Sequence, residues 1–169
     1  MDFDTVMEIL STWNMTLDAF ASRFNNILPR YFSSALEEES LGKDFFQQGL
    51  SRDELYFVHP HPRKLWPALL HLLEFQARAL VIFHLWESLA TSQFLVRRGH
   101  FPKCVRSWKL LTPTFYAETK SSMWKGKKKF RTFALEMDFE GLLTKDVAFQ
   151  TCFDSQRCFA RGCRLCVRF

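Results

Sequence analysis

Several features that mark common enzyme classes are missing from this chain of 169 residues. It has only 6 glycines, and they form no loop of the kind that cradles phosphate. Neither a Gly-x-Ser-x-Gly nucleophile motif nor a His-Glu-x-x-His zinc motif occurs. These absences predict that the protein is not an enzyme and that it uses no cofactor.

The chain also lacks a long uncharged apolar run. The most apolar segment, residues 65–96, is interrupted by Glu74, Arg78 and Glu87, whereas a membrane-spanning helix needs about 20 consecutive apolar residues. The first residues do not show the pattern of a secretory signal. We therefore expect a globular protein without a membrane partner.

Cysteine is present in an odd number, which favours free thiols in a reducing compartment over a disulfide framework. Only Cys163 and Cys166 have the close spacing that structural zinc sites use. His59 and His61 form another metal-like pair, but they lie in a proline-containing loop. We expect no metal site. The cysteines are Cys104, Cys152, Cys158, Cys163 and Cys166.

Charge divides the chain into two parts. Residues 1–96 carry 7 basic and 12 acidic side chains, whereas residues 97–169 carry 16 basic and 6 acidic ones. This asymmetry indicates two surfaces with different partners.

Apolar spacing predicts three helices in the first part. The first has an apolar residue at every third or fourth position. A second is predicted over residues 30–48, ending at Gly49, and a third from Pro67 to about residue 94. The stripe of the first helix consists of Phe3, Val6, Leu10, Trp13, Leu17, Phe20, Phe24 and Ile27.

The second part is predicted to be mainly β-structure. Phe133, Leu135, Met137 and Phe139 alternate with more polar residues, as in a half-buried strand, and a Glu-Gly turn follows. The predicted fold class is therefore α+β, with an N-terminal three-helix bundle over residues 1–96 and a β-rich basic part over residues 97–169, joined in one compact module.

A run of basic residues with aromatic neighbours precedes that strand. Basic and aromatic side chains together suit phosphate contacts and base stacking. A solvated turn before the strand accounts for the same residues equally well, so both interpretations stay open. The run consists of Lys125, Lys127, Lys128, Lys129 and Arg131, beside Trp124 and Phe130.

The order of several short motifs resembles the N-terminal transactivation domain of the papillomavirus early regulatory protein. Tyr31-Phe32, Glu38 and Gly49 follow the pattern of that family's second helix, and Ala68-Leu69 with Leu73-Glu74-Phe75-Gln76 that of its third. The later likeness lies in Trp108-Lys109-Leu110-Leu111, Tyr116, Lys127-Lys128 and Glu136-Met137-Asp138-Phe139-Glu140-Gly141. The resemblance covers about residues 1–141, and the residues after Gly141 do not follow the family pattern.

The resemblance implies a viral module that controls DNA replication and transcription in the host nucleus. It implies that Glu38 contacts the viral replicative helicase, with Leu36, Leu73 and Glu74 in the same interaction surface. The family arginine that recruits a host bromodomain protein is replaced by Leu36, so helicase binding is the stronger expectation. Contact with DNA would be weak or would need another domain.

An alternative function follows from the basic part alone. A small basic viral accessory protein would bind nucleic acid through residues 97–169, and its affinity would fall steeply with salt.

Overall fold

The computed structural model describes residues 3–35, 37–85, 95–96, 101–111 and 131–142. Their helices and strands follow one another in the order α1 (Phe3–Thr12), β1 (Leu17–Ala21), β2 (Tyr31–Ser33), β3 (Gly42–Lys43), a 3-10 turn (Phe45–Gln47), β4 (Leu55–Val58), α2 (Pro62–Glu74), β5 (Arg78–Leu85), β6 (Val105–Leu111) and β7 (Arg131–Asp138).

The seven strands form one mixed sheet in the order β3-β2-β1-β4-β5-β7-β6. The first five strands are mutually parallel. Strand β7 is antiparallel to both of its neighbours, β5 and β6, and pairs with β5 along its full length, from Arg131 opposite Leu85 to Asp138 opposite Arg78. Strands from both halves of the sequence therefore share one sheet.

Helix α2 covers one face of the sheet. It begins at Pro62, whose fixed backbone angle suits the first helical position, and the His61 side chain accepts a hydrogen bond from the Arg63 N–H at 3.4 Å. The buried face of α2 packs on a cluster that includes Val81, Phe83 and Phe133. That face consists of Leu65, Ala68, Leu69, Leu72 and Leu73.

Helix α1 covers the opposite face. Ile9 is fully buried there with Trp13, Phe57 and Ile82. The parallel strands have helices on both faces, so several of them are buried almost throughout, as β4 is at all four positions. The result is a three-layer arrangement of helix, sheet and helix.

The expected three-helix bundle is wrong, because the described residues contain two helices and a mostly parallel sheet. The first predicted helix ends at Thr12, and its continuation forms β1. Residues 30–48 contain β2, β3 and the 3-10 turn, and the third predicted helix changes into β5 at Arg78. The apolar spacing after Thr12 is accidental, and two members of the stripe, Phe3 and Phe24, are 75% and 82% exposed.

The strand predicted from the alternating pattern before Gly141 is confirmed, but it is not half-buried, because Thr132 and Ala134 between the core residues are also fully buried. It forms β7, and Phe133, Leu135, Met137 and Phe139 all lie in the core on the α2 face. The general α+β class is loosely consistent with this fold, although its helical bundle is not.

Candidate functional site

The five parallel strands end at the same edge of the sheet, which we call the carboxyl edge. Strand β7 begins there, because Arg131 pairs with Leu85, and β6 ends there, because Leu111 pairs with Thr132. The strand order reverses between β1 and β4, since β2 and β3 lie on one side and β5 on the other. Open α/β sheets bind ligands in the crevice at such a reversal.

The turn after β1 is rigid and contains no glycine. Asn25 Oδ1 accepts hydrogen bonds from the N–H and the hydroxyl of Ser22 at 2.7 and 2.9 Å. Residues 22–30 form turns rather than a helix. This edge therefore lacks, after β1, both the glycine loop and the helix N-terminus that hold the pyrophosphate of a dinucleotide.

Glu37 reaches this turn from the connection after β2. Its side chain is half-buried, and its Oε2 accepts a hydrogen bond from the Arg23 N–H at 3.0 Å. A carboxylate has about four acceptor positions, so this bond leaves capacity for a ligand. In dinucleotide-binding doubly wound sheets, an acidic residue about 20 residues after the glycine-rich turn binds the ribose hydroxyl.

Asp44 directly follows β3 and has a strained backbone. Its φ of 58° and ψ of 115° are unusual for a residue with a side chain. A hydrogen bond from its N–H to the Ser33 carbonyl, at 2.6 Å, holds it in place, and its side chain accepts from the Phe46 N–H at 3.4 Å. Such strain costs about 1–3 kcal/mol and is concentrated at functional sites.

Two histidines lie close together beyond β4 and in β5. The ring centroids of His59 and His84 are 5.7 Å apart, and His84 Nδ1 forms a 2.8 Å hydrogen bond with Thr132 Oγ1. Burial, with a smaller contribution from His84, lowers the pKa of His59 to about 4, and burial likewise lowers the pKa of His84 to about 4. Both rings are thus neutral near pH 7, and within the described ranges no hydrogen bond reaches the ring of His59.

A buried carboxylate in β1 organises the loop that follows. Asp18 accepts hydrogen bonds from the N–H groups of Phe20 and Ile27, both at 3.2 Å. Burial raises the pKa of Asp18 to about 6, although these two hydrogen bonds lower it. Asp18 therefore fixes the path of residues 22–30, and with it the position of the turn after β1.

The interaction surface expected from the sequence is not brought together. Glu38 is exposed in the turn after β2, at the carboxyl edge, rather than on a helix. Leu73 is only 4% exposed, and Glu74 is the last residue of α2, which ends at the opposite edge. Leu36 lies outside the described residues.

Most of the expected basic run is also outside the described residues, namely Lys125, Lys127, Lys128 and Lys129. Arg131 is described; it is exposed and opens β7 at the carboxyl edge. In the described part of the chain, no group of three His, Cys, Asp or Glu side chains could hold a metal ion. Cys104 is a buried thiol, and the other four cysteines lie outside the described residues.

His59 and His61 lie in a loop, as the sequence predicted, whereas Glu37 and Asp44 were not predicted as site residues. The available signal was the apolar run Leu55–Val58 directly before His-Pro-His-Pro, which is typical of a buried strand that ends at a site. Glu37 and Asp44 become recognisable only when the strand order is known.

Comparison with known proteins gives no assignment, because no protein-family model and no curated protein matches this chain. Among the described helices, none is long and apolar enough to cross a membrane. The function must be inferred from the fold and the carboxyl edge themselves.

Proposed function

We propose that this chain is a nucleoside-cofactor-binding domain of the methyltransferase type, which binds S-adenosylmethionine at the carboxyl edge. The observation that carries the proposal is the strand order β3-β2-β1-β4-β5-β7-β6 with β7 alone antiparallel. The dinucleotide-binding sheet has the same order of its first five strands. It has no antiparallel strand in the place of β7, which here lies between β5 and β6. That insertion is characteristic of the methyltransferase fold.

Since a fold alone does not determine function, the residues at the edge must also suit the ligand. The turn after β1 has neither glycine nor a following helix, which disfavours a pyrophosphate. The side chains after β2 and β3 are the carboxylates Glu37 and Asp44, which would repel one. S-adenosylmethionine has no phosphate and carries positive charges, so this edge fits it better than it fits a dinucleotide.

Each residue then has a role that follows from its position. Glu37, held beside the turn after β1, would accept hydrogen bonds from the ribose hydroxyls. Asp44, one strand further out, would accept a hydrogen bond from the adenine amino group. Its strained backbone aims the side chain before any ligand arrives.

His59 lies at the end of β4, on the other side of the strand-order reversal. When bound, S-adenosylmethionine supplies an electrophilic methyl group. The neutral His59 ring could accept a hydrogen bond from the amino group of a second substrate and so orient it. The low pKa matters here, because a protonated imidazole accepts no hydrogen bond.

Isothermal titration calorimetry with S-adenosylhomocysteine tests the proposal. Glu37→Gln keeps an oxygen that can accept from the Arg23 N–H, but it removes the charge. We expect it to weaken binding roughly 10- to 100-fold, the value of a charge-assisted hydrogen bond. Glu140→Gln, an exposed carboxylate at the opposite edge, is the matched control and should bind normally.

Two results would contradict the proposal. One is that the folded wild-type chain does not bind S-adenosylhomocysteine; the other is that it binds NADH equally well.

Recruitment of a viral helicase, which the papillomavirus resemblance implies, stays an untested prediction. We do not prefer it, because the helix expected to present Glu38 is replaced by a turn and Leu73 is buried in the core. A co-precipitation of the helicase with wild type and Glu38→Ala would decide it: loss of capture only with Glu38→Ala would revive that function.

A further inference from the structure

Four described arginines lie near the amino ends of the parallel strands and of β6, and each of them is ion-paired. Arg30 binds Glu54 at 2.8 Å, and Arg52 binds Glu140 at 2.6 Å. Arg78 lies 3.7 Å from Glu136, and Arg106 lies 3.2 Å from Asp138. We call this the amino edge. Of its described cations, only Lys103, which is exposed, has no ion pair.

The cations of the carboxyl edge differ from those of the amino edge in their pairing. Its described cations are exposed, and none of them forms an ion pair within the described ranges. Arg63 and Lys64 open α2, and Arg131 opens β7, so these three lie on the half of the edge formed by β4, β5 and β7. Among the described residues, the acidic side chains at the strand ends of this edge follow β2 and β3 instead. The five cations are Arg23, Lys43, Arg63, Lys64 and Arg131.

Unpaired cations on one half of the edge suit a polyanion. An ion pair would have to be broken before a phosphate could bind, whereas these side chains are already available. Each neutralised phosphate also releases condensed counterions, which makes the affinity depend on salt.

An exposed aromatic ring lies at the centre of the same edge. Phe24, in the turn after β1, is 82% exposed, and the Arg23 guanidinium carbon lies 4.5 Å from the centroid of its ring. The turn is fixed by Asn25 and by the bond from Arg23 to Glu37, so the pair is held in place. A ring that is both exposed and held in place offers a stacking platform, since nucleobases stack on aromatic rings and guanidinium planes.

The burial of the His59 ring favours single-stranded nucleic acid over a duplex as the partner. Its ring packs edge-on against Phe57 and His84, at centroid distances of 6.3 and 5.7 Å, and it is mostly buried. A base in a stacked duplex cannot reach such a ring unless it leaves the helix. The bases of a single strand can reach the ring without first being unpaired and unstacked from a duplex.

We propose that the carboxyl edge binds single-stranded nucleic acid, with its phosphates on Arg63, Lys64 and Arg131 and one base stacked on Phe24. This inference rests on the proposed function for the role of the nucleic acid, which would be the methyl acceptor. The binding itself stands on the charges and the exposed ring.

Fluorescence anisotropy of the full chain with a short labelled single-stranded oligonucleotide tests the inference. Phe24→Ala should weaken binding roughly 5- to 150-fold, as expected for the loss of one stacked base, without changing the salt dependence. Arg63→Gln combined with Lys64→Gln should reduce the slope of log affinity against log salt by about 1.4. Lys103→Gln, an exposed unpaired lysine at the amino edge, is the control and should change neither quantity.

The inference is overturned if the wild-type chain does not bind the oligonucleotide, if a duplex binds as tightly, or if Lys103→Gln weakens binding as much as the other variants do. Titrating the same proteins with S-adenosylhomocysteine separates the two proposals. Cofactor binding without oligonucleotide binding leaves the proposed function intact and removes this inference. Oligonucleotide binding without binding of S-adenosylhomocysteine would retain the nucleic-acid surface and remove the proposed cofactor site.

Discussion

The two edges of the sheet are built from the same strands but differ in chemistry. At the amino edge, arginines pair with carboxylates, as in Arg52 with Glu140, and the charges largely neutralise one another. At the carboxyl edge, a carboxylate is fixed beside a turn, a strained aspartate follows β3 and a half-buried histidine follows β4. The charges of the amino edge are therefore satisfied within the protein, whereas the carboxyl edge keeps groups that a ligand can use.

This difference is what a doubly wound sheet leads one to expect. Parallel strands deliver side chains from widely separated parts of the sequence to a single edge, and the reversal of strand order leaves a crevice there. Functional groups at such an edge are held at a cost in stability. The predictions below alter one edge and use the other for comparison.

The largest effect on the free energy of unfolding should come from lowering the pH. His59 has a folded pKa of about 4, below its ordinary 6.5, so the unfolded chain binds protons more readily between these values. This histidine therefore contributes stability above pH 6.5, and we expect up to about 3 kcal/mol to be lost as the pH falls to 4. His59→Asn should make this part of the stability curve shallower, and the slope that remains should come from His84, whose pKa burial also lowers to about 4. Urea unfolding at several pH values measures both slopes.

Asp18 acts in the opposite direction and provides an internal check. Its folded pKa of about 6 is above its ordinary 3.8, so its contribution is present at low pH and is lost as the pH rises through 6. Asp18→Asn should therefore make the acid destabilisation steeper. A curve that becomes shallower in this variant would contradict the assignment of these groups.

A smaller effect is expected at Asp44. Glycine adopts a positive φ readily, so Asp44→Gly should relieve strain and stabilise the fold by about 1 kcal/mol, measured as the free energy of unfolding in urea. The same change should weaken binding of S-adenosylhomocysteine, because the carboxylate is removed. Glycine also removes the acceptor of the Phe46 N–H, which costs only a few tenths of a kcal/mol at such a position, so a variant less stable than wild type by about 1 kcal/mol or more would contradict the strain.

The smallest effect should occur at the amino edge. Arg52 and Glu140 are 46% and 61% exposed at their side chains, so water screens their attraction. We expect Arg52→Gln to change the free energy of unfolding by less than about 1 kcal/mol and to leave ligand binding unchanged. A loss of cofactor affinity would mean that the two edges are not functionally separate.

Local pattern was enough to predict β7, because its alternation of core and more polar residues extends over Arg131–Asp138. It failed for β1, where the five residues Leu17–Ala21 are nearly all buried and show no alternation. A short buried run of this kind fits a helix or a strand equally well. The apolar spacing continued across the loop by chance and favoured the helix.

The candidate site could not be predicted from the sequence, because it depends on the strand order. Glu37, Asp44 and His59 are separated along the chain and share no motif spacing. They meet at one edge only because β1, β2, β3 and β4 are parallel. Pairing of this kind is set by long-range packing, which local sequence patterns do not encode.

The most direct test of the account is amide hydrogen exchange of the full chain with and without S-adenosylhomocysteine. We predict that protection rises at the carboxyl edge, in residues 22–25, 37–44 and 59–62, and does not change at the amino edge, in residues 52–55 and 138–140. Equal protection at both edges, or protection confined to the amino edge, would contradict the assignment of the carboxyl edge as the ligand-binding edge.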